Sequence, residues 1–179
     1  MAQFDAFLKL DGIKGESADA GHKGEIDILH FRWDTSQVGS HATGGGGGTG
    51  RVRFSAIHFV KRADASSPLL LLNCANGAHI KEANVTVRKA GGTQLEYLKI
   101  KLTDVLISKF IEHGKPVLVT NSGVKEGPLP QRDPIPVPLE EISLSFSRIE
   151  YQYQPQGADG KAQGGPLMAG WDLKQNKAV

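Results

Sequence analysis

The sequence predicts a mainly β protein, a barrel or tight sandwich of antiparallel strands with one short α-helix. Three observations carry that assignment. Long stretches alternate apolar and polar residues: Val85 and Val87 with Asn84, Thr86 and Arg88, then Leu98, Ile100 and Leu102 with Lys99, Lys101 and Thr103. Period two is the signature of strands with one buried face. Glycine-bearing turns separate these stretches, and a single segment carries helix start and stop signals. Parallel α/β folds are excluded, because one helix cannot supply the crossovers. With 39% hydrophobic residues over 179 positions, the chain reads as one domain, residues 1–179, with a sizeable core.

Taken in order, Phe4 to Leu10 is the first strand, ended by Asp11-Gly12, and Lys14 to Gly24 is a polar loop. Glu25 to Trp33 is the second strand, with Leu29, Phe31 and Trp33 on one face and Ile26 and Ile28 on the other. Residues of about 39–50 form a flexible loop around the run Gly44 to Gly48, whose ordering is entropically costly. A phosphate cradle there would need Lys followed by Ser or Thr entering a helix; Thr49-Gly50-Arg51 enters a strand instead. Arg51 to Lys61 is the third strand. Its apolar phase flips between Val52, Phe54, Ala56 and Ile57, Phe59, which predicts a bulge or a strand serving two surfaces.

Ser66-Ser67-Pro68 opens the helix with a serine cap acceptor and a proline in the first turn, and Gly77 closes it. So short a helix is marginal alone, and its leucines are expected to plug a barrel end. Cys74, the one cysteine, reads as a small buried hydrophobe. A long hairpin follows from His79 to Phe110, turning at Ala90-Gly91-Gly92-Thr93. Leu106 and Phe110 keep the phase of Leu98, while Val105 and Ile107 make the opposite face apolar as well. Gly114 to Pro138 is rich in glycine and proline: Val117 and Val119 fit a short edge strand, and about 125–138 is an extended surface arm. Leu139 to Tyr153 is the last long strand; its phase flips from Ile142, Leu144 and Phe146 to Ile149, Tyr151 and Tyr153. Trp171 ties down the polar tail as a final short strand.

Little in the chain points to chemistry. The net charge of +2 argues against nucleic acid or anionic membrane as a partner, and no segment approaches a membrane span. The N-terminus lacks the features of a signal peptide, so a cytoplasmic origin is expected, with any export by another route. The six histidines are dispersed without metal-ligand spacing. Ser122 has no nucleophile elbow, and Glu140 and Glu141 point to opposite strand faces. The reading is no enzyme, no cofactor and no metal. Apolar surplus on strands with two greasy faces is the remaining signal, and such surplus marks association surfaces.

Several motifs resemble the haemolysin-coregulated protein (Hcp) family, the tube subunit of bacterial type VI secretion systems. They are Phe7 to Ser17 (FLKLDGIKGES), Glu25 to Leu29 (EIDIL), the polyglycine loop, Ser67-Pro68 and Cys74. Arg88-Lys89-Ala90-Gly91-Gly92 with Glu96-Tyr97-Leu98 is the most specific set, followed by Tyr153 to Gln156, Asp159-Gly160 and Gly170-Trp171-Asp172. The resemblance implies a small β-barrel with a flanking helix and an extended loop, assembled as stacked hexameric rings. It further implies spike and sheath proteins as partners, effector proteins in the lumen, and secretion without a signal peptide. A head-to-tail ring needs two different complementary surfaces per subunit. The doubly apolar strands are expected to supply them through Val105, Ile107, Ile57, Phe59, Ile149 and Tyr151.

Two departures stand out. Family members often carry Trp-Ser-Trp where this chain has Phe31-Arg32-Trp33, so Arg32 is the candidate lumen contact, favouring acidic cargo; its alternative is a pairing with a neighbouring acid. The proline-rich arm also looks longer than usual. Two other functions compete: a secreted hydrolase or toxin on the same barrel, for which the chain leaves no room after Trp171, and a small-ligand-binding barrel, which needs an internal cavity.

Overall fold

The computed structural model describes residues 4–37, 52–89, 94–114, 117–120, 123–126, 137–157 and 160–179. The glycine run, the turn at 90–93 and most of the proline-rich arm lie outside the described residues. The first half holds β1 (Phe4–Leu10), β2 (Ile26–Arg32), β3 (Thr35–Ser36), β4 (Arg53–Phe54), β5 (Ile57–Arg62) and α1 (Ser67–Asn76). The long hairpin is β6 (His79–Lys89) and β7 (Glu96–His113), followed by the small hairpin β8 (Val117–Thr120) and β9 (Gly123–Glu126). The chain ends with β10 (Leu139–Ser145), β11 (Arg148–Tyr153), β12 (Leu167–Asp172) and β13 (Lys177–Ala178).

Six strands close an antiparallel barrel in the order β10, β5, β2, β1, β6, β7, with β7 returning to β10. Strand β7 is long enough to serve two sheets. One side pairs with β6; the other pairs with β11 along 98–103 and with β10 along 106–113. Beyond β11 the sheet continues through β12 and β13 as a wing outside the barrel. The predicted mainly β barrel with one short helix is the observed fold.

The flips of apolar phase are resets of register, and they correct the reading of two greasy faces. In β7, Asp104 takes a left-handed backbone with φ 54°, and Val105 then points inward like Leu102 before it. Three residues further, pairing with β10 shifts between Ser143 and Leu144, which returns Phe110 to the inside after Ile107. Strand β2 does the same at Leu29, so Ile26, Ile28 and Phe31 all face the core. The expected third strand is instead two: β4 pairs with β3, and β5 joins the barrel. The expected last strand breaks at Phe146-Ser147, where the Ser147 N–H donates to Thr103 O at 3.1 Å. Each interruption adds a residue or a kink that turns the next apolar side chain inward.

Five of the six residues expected at a subunit interface are therefore core. Val105, Ile57 and Phe59 are 0% exposed, Ile107 2% and Ile149 3%. Tyr151 is half-buried, packed on the same core and tilted against Trp33. Cross-strand pairs show the layering directly: Ile80 faces Val105, Leu144 faces Ile57 and Ile107, and Ile149 faces Leu102. Their second apolar face is an interior one.

Helix α1 departs from expectation in two ways. Ser66 makes no side-chain cap; its own N–H is held by the Asp64 carboxylate at 2.9 Å. Only Leu70 enters the core, with Cys74 half-buried beside it, and Leu69, Leu71 and Leu72 stay exposed. Gly77 ends the helix as predicted, in the left-handed region at φ 67°. Beneath the helix start lies a fully buried ammonium, Lys61, which points into the barrel. Its three N–H donors meet Glu140 at 2.7 Å, Asp64 at 2.9 Å and Ser67 Oγ at 3.2 Å. Three donors with three acceptors leave the charge satisfied.

Three outcomes check this architecture. Val105→Asp places an unpaired charge in the core, so soluble folded protein should be lost, as read by circular dichroism, rather than a folded monomer released. Asp104→Asn retains the left-handed backbone, whereas Asp104→Val should cost about 1–2 kcal/mol more in urea unfolding. Lys61→Met leaves Glu140 uncompensated and should cost roughly 3–5 kcal/mol, most of it recovered when Glu140→Leu is added.

Candidate functional site

The inward side chains of the barrel are sealed from solvent: Leu8, Ile100, Leu102 and Ile142 are each 1% exposed or less. Among the described residues no group of three His, Cys, Asp or Glu side chains is placed to hold a metal ion. Cys74 is a free thiol packed on the core.

The motif Arg88 with Glu96 performs structural work. On the outer face of β1, a concavity of about 620 Å³ is lined by Asp5, Phe7, Asp19, Asp27 and Arg88 among others. The Arg88 guanidinium lies 4.9 Å over the Phe7 ring and donates to Asp19, Gln94 and Asp5. That arginine holds the Asp19 carboxyl below its ordinary range. On the Phe7 ring stacks His22, buried, at 4.1 Å between centroids. Its Nδ1 pairs with Glu25 at 2.8 Å, and Nε2 lies 3.2 Å from Glu96 without hydrogen-bond alignment. The segment 14–24 is thereby stapled over the barrel wall. Gly15 is required there, because a Cβ would collide with the Glu25 carbonyl.

Arg32 lies exposed at the end of β2, directly across from His58 on β5. Phe31 beside it points into the core against Phe59, which turns Arg32 to the outer face. No carboxylate among the described residues lies within ion-pair distance of Arg32.

Among the described residues, the exposed large apolar side chains include two groups that the strand patterns did not single out. One is the outer surface of α1, with Leu69, Leu71 and Leu72 exposed by 42%, 54% and 53%. The other is the wing, where Leu167 and Met168 are exposed by 65% and 67%. Tyr153 pairs with Leu167 across the strands, and its ring meets Tyr97 edge-on. Helix leucines were visible in the sequence but were assigned to a barrel plug. The tail's Leu167 and Met168 had no periodicity to mark them. The tail returns to the barrel through Lys174, whose ammonium sits 2.5 Å from the Asp104 carboxylate. His79 Nδ1 reaches the same carboxylate at 2.7 Å. First Lys174 and then His79 hold Asp104 down at about 2.

These features define a closed antiparallel barrel with a β wing and a surface-displayed helix. Residues 7–153 match the family model described as "Type VI secretion system effector, Hcp". Protein hcp1 of Pseudomonas aeruginosa is 40% identical over 173 residues, covering 96% of each chain. The structure is similar to Hcp1 from Salmonella typhimurium, with TM-score 0.71, 34% identity and full coverage of both chains. It is also similar to a solved type six secretion system protein, with TM-score 0.83, 26% identity and coverage of 99% and 100%. The chain belongs to the Hcp family of type VI secretion tube proteins. No helix among the described residues is long and apolar enough to cross a membrane.

The Asp104 tie has a pH signature. Its depressed pKa means the tie contributes fully above the ordinary carboxylate range and is lost as pH falls through about 2. Hydrogen exchange of the 172–178 amides should lose protection over that window. Asp104→Asn should show the lowered protection already at pH 6, with the barrel amides unchanged.

Proposed function

We propose that this chain is a structural subunit of the type VI secretion tube, in which hexameric rings stack, are secreted, and carry effector proteins in their lumen. Residues 1–179 act as a single barrel domain with no catalytic step, alongside spike and sheath partners. Export proceeds from the cytoplasm through the type VI system.

The observation that carries this reading is the pair of distinct apolar surfaces on one subunit, the α1 leucines and the wing residues Leu167 and Met168. A subunit that closes a head-to-tail ring needs two unlike faces, each burying apolar area against a neighbour. Family membership supports the same role. The core residues Val105, Ile107, Ile57, Phe59 and Ile149 take no part in this surface, since the barrel already buries them.

Light scattering from micromolar to millimolar concentration should report a ring-sized mass for the native chain. Leu167→Asp with Met168→Asp changes exposed side chains and should leave circular dichroism intact while reducing the mass to one subunit. A native chain that stays monomeric throughout defeats the tube reading. Rings that survive both substitutions move the contact away from the wing.

A further inference from the structure

We propose that Met168 is an oxidation site, and that its sulfoxide takes the wing out of subunit assembly. The chain has two methionines, Met1 and Met168, and one cysteine. Cys74 is half-buried and packed on the core. Met168 is 67% exposed, the most of any large hydrophobic side chain among the described residues. Oxidation of sulfur follows its exposure, so the Met168 thioether meets a small oxidant before the Cys74 thiol does.

Strand register explains why this sulfur is open. Met168 on β12 faces Gln152 on β11, and Gln152 faces Lys99 on β7. The row of opposite facing, Trp171, Ile149 and Leu102, is the one packed in the core. Met168 therefore lies on the outer face of the wing. Gly170 comes next on that face, and Val179 closes over it, its Cγ2 methyl 2.8 Å from where a Cβ would stand. Met168 and the exposed Val179 thus put apolar atoms on a polar face, and neither belongs to the core cluster.

The step is a transfer of one oxygen atom from a hydroperoxide such as hydrogen peroxide. The thioether sulfur attacks one peroxide oxygen; the S–O bond forms as the O–O bond breaks. The departing oxygen takes the proton of the transferred one and leaves as water, so the sulfur is oxidised and the peroxide reduced. The product replaces a flexible apolar side chain with a polar one that carries a strong acceptor. On a free subunit water satisfies that oxygen, and the barrel is untouched. Against a neighbouring subunit the oxygen loses its water, and an unsatisfied buried acceptor weakens the contact. This inference rests on the wing as an assembly surface and adds its regulation: oxidation first blocks the contact, whereas assembly first shields the sulfur.

Dilute native chain treated with hydrogen peroxide should gain one oxygen at Met168, read by peptide mass spectrometry, with circular dichroism unchanged. Light scattering should then place the midpoint concentration for assembly about tenfold higher, the effect of one unsatisfied buried acceptor per contact. Methionine sulfoxide reductases A and B with dithiothreitol should restore the original midpoint. Preformed rings should protect Met168, slowing its oxidation about tenfold. Met168→Leu has no sulfur there but retains Met1 and Cys74; its treated and untreated samples should assemble alike. Met168→Gln, polar without oxidation, should assemble like the sulfoxide. A Met168 left unoxidised by peroxide overturns the site. Unchanged assembly of the fully oxidised chain overturns the switch, as does an equal peroxide effect on Met168→Leu. Native rings with either result leave the tube reading standing; a native chain that is monomeric before any oxidation defeats the tube reading and the switch with it.

Discussion

One strand, β7, must keep its apolar side chains turned inward over 18 residues while its partners change, and the rest of the structure depends on that. A flat strand with strict alternation would send Val105 and Ile107 to solvent if Leu98 to Leu102 faced the core. The left-handed residue Asp104 and the shift opposite Ser143/Leu144 each add one step to the phase. Aspartate suits the first position, since its short polar side chain tolerates the backbone better than a β-branched residue does. The same residue receives the tail lysine, Lys174, so the reset and the anchor of the wing coincide.

Closing a six-strand barrel leaves two problems at its walls and end, and charged side chains answer both. At the end under α1, Lys61 enters a space that apolar residues do not fill and is satisfied by three acceptors drawn from β10, the 63–66 connection and α1. A charge so buried stabilises little in net terms, but it fixes where the helix starts relative to the barrel. On the wall, Arg88 converts a polar loop into a cover by meeting carboxylates from β1 and the loop itself. Glu140 looked like half of an adjacent acidic pair in the sequence, and its role emerged only when β5 and β10 paired.

Alternation around Val85 and Leu98 was enough to place the long hairpin, and the cap glycine at 77 marked the helix end. Surface assignment was harder. The flips in phase at Leu29, Val105 and Ile149 were read as second faces for a neighbouring subunit, because period two alone cannot separate a bulge from a doubly buried strand. Only pairing register does so, as Ile80 opposite Val105 shows. The exposed leucines of α1 were misread for a related reason: hydrophobicity says that a side chain seeks burial, not that the same chain provides it. Arg32 was singled out by a departure from a family pattern. Its cross-strand neighbour His58 lies 26 positions away in sequence and has no local mark.

What the sequence determined by itself was the β class, the order of the principal strands, the one helix and its ends, and family membership through motifs such as Arg88 to Gly92 with Glu96 to Leu98. These are local matters, set by periodicity, turn chemistry and contiguous residues. Tertiary structure alone decided which apolar residues form the core, where phase resets, what satisfies Lys61, and which surfaces remain open. The physical reason is that facing and burial are properties of pairs: a side chain's exposure is fixed by the strand opposite, and in this barrel that strand is often distant in the chain.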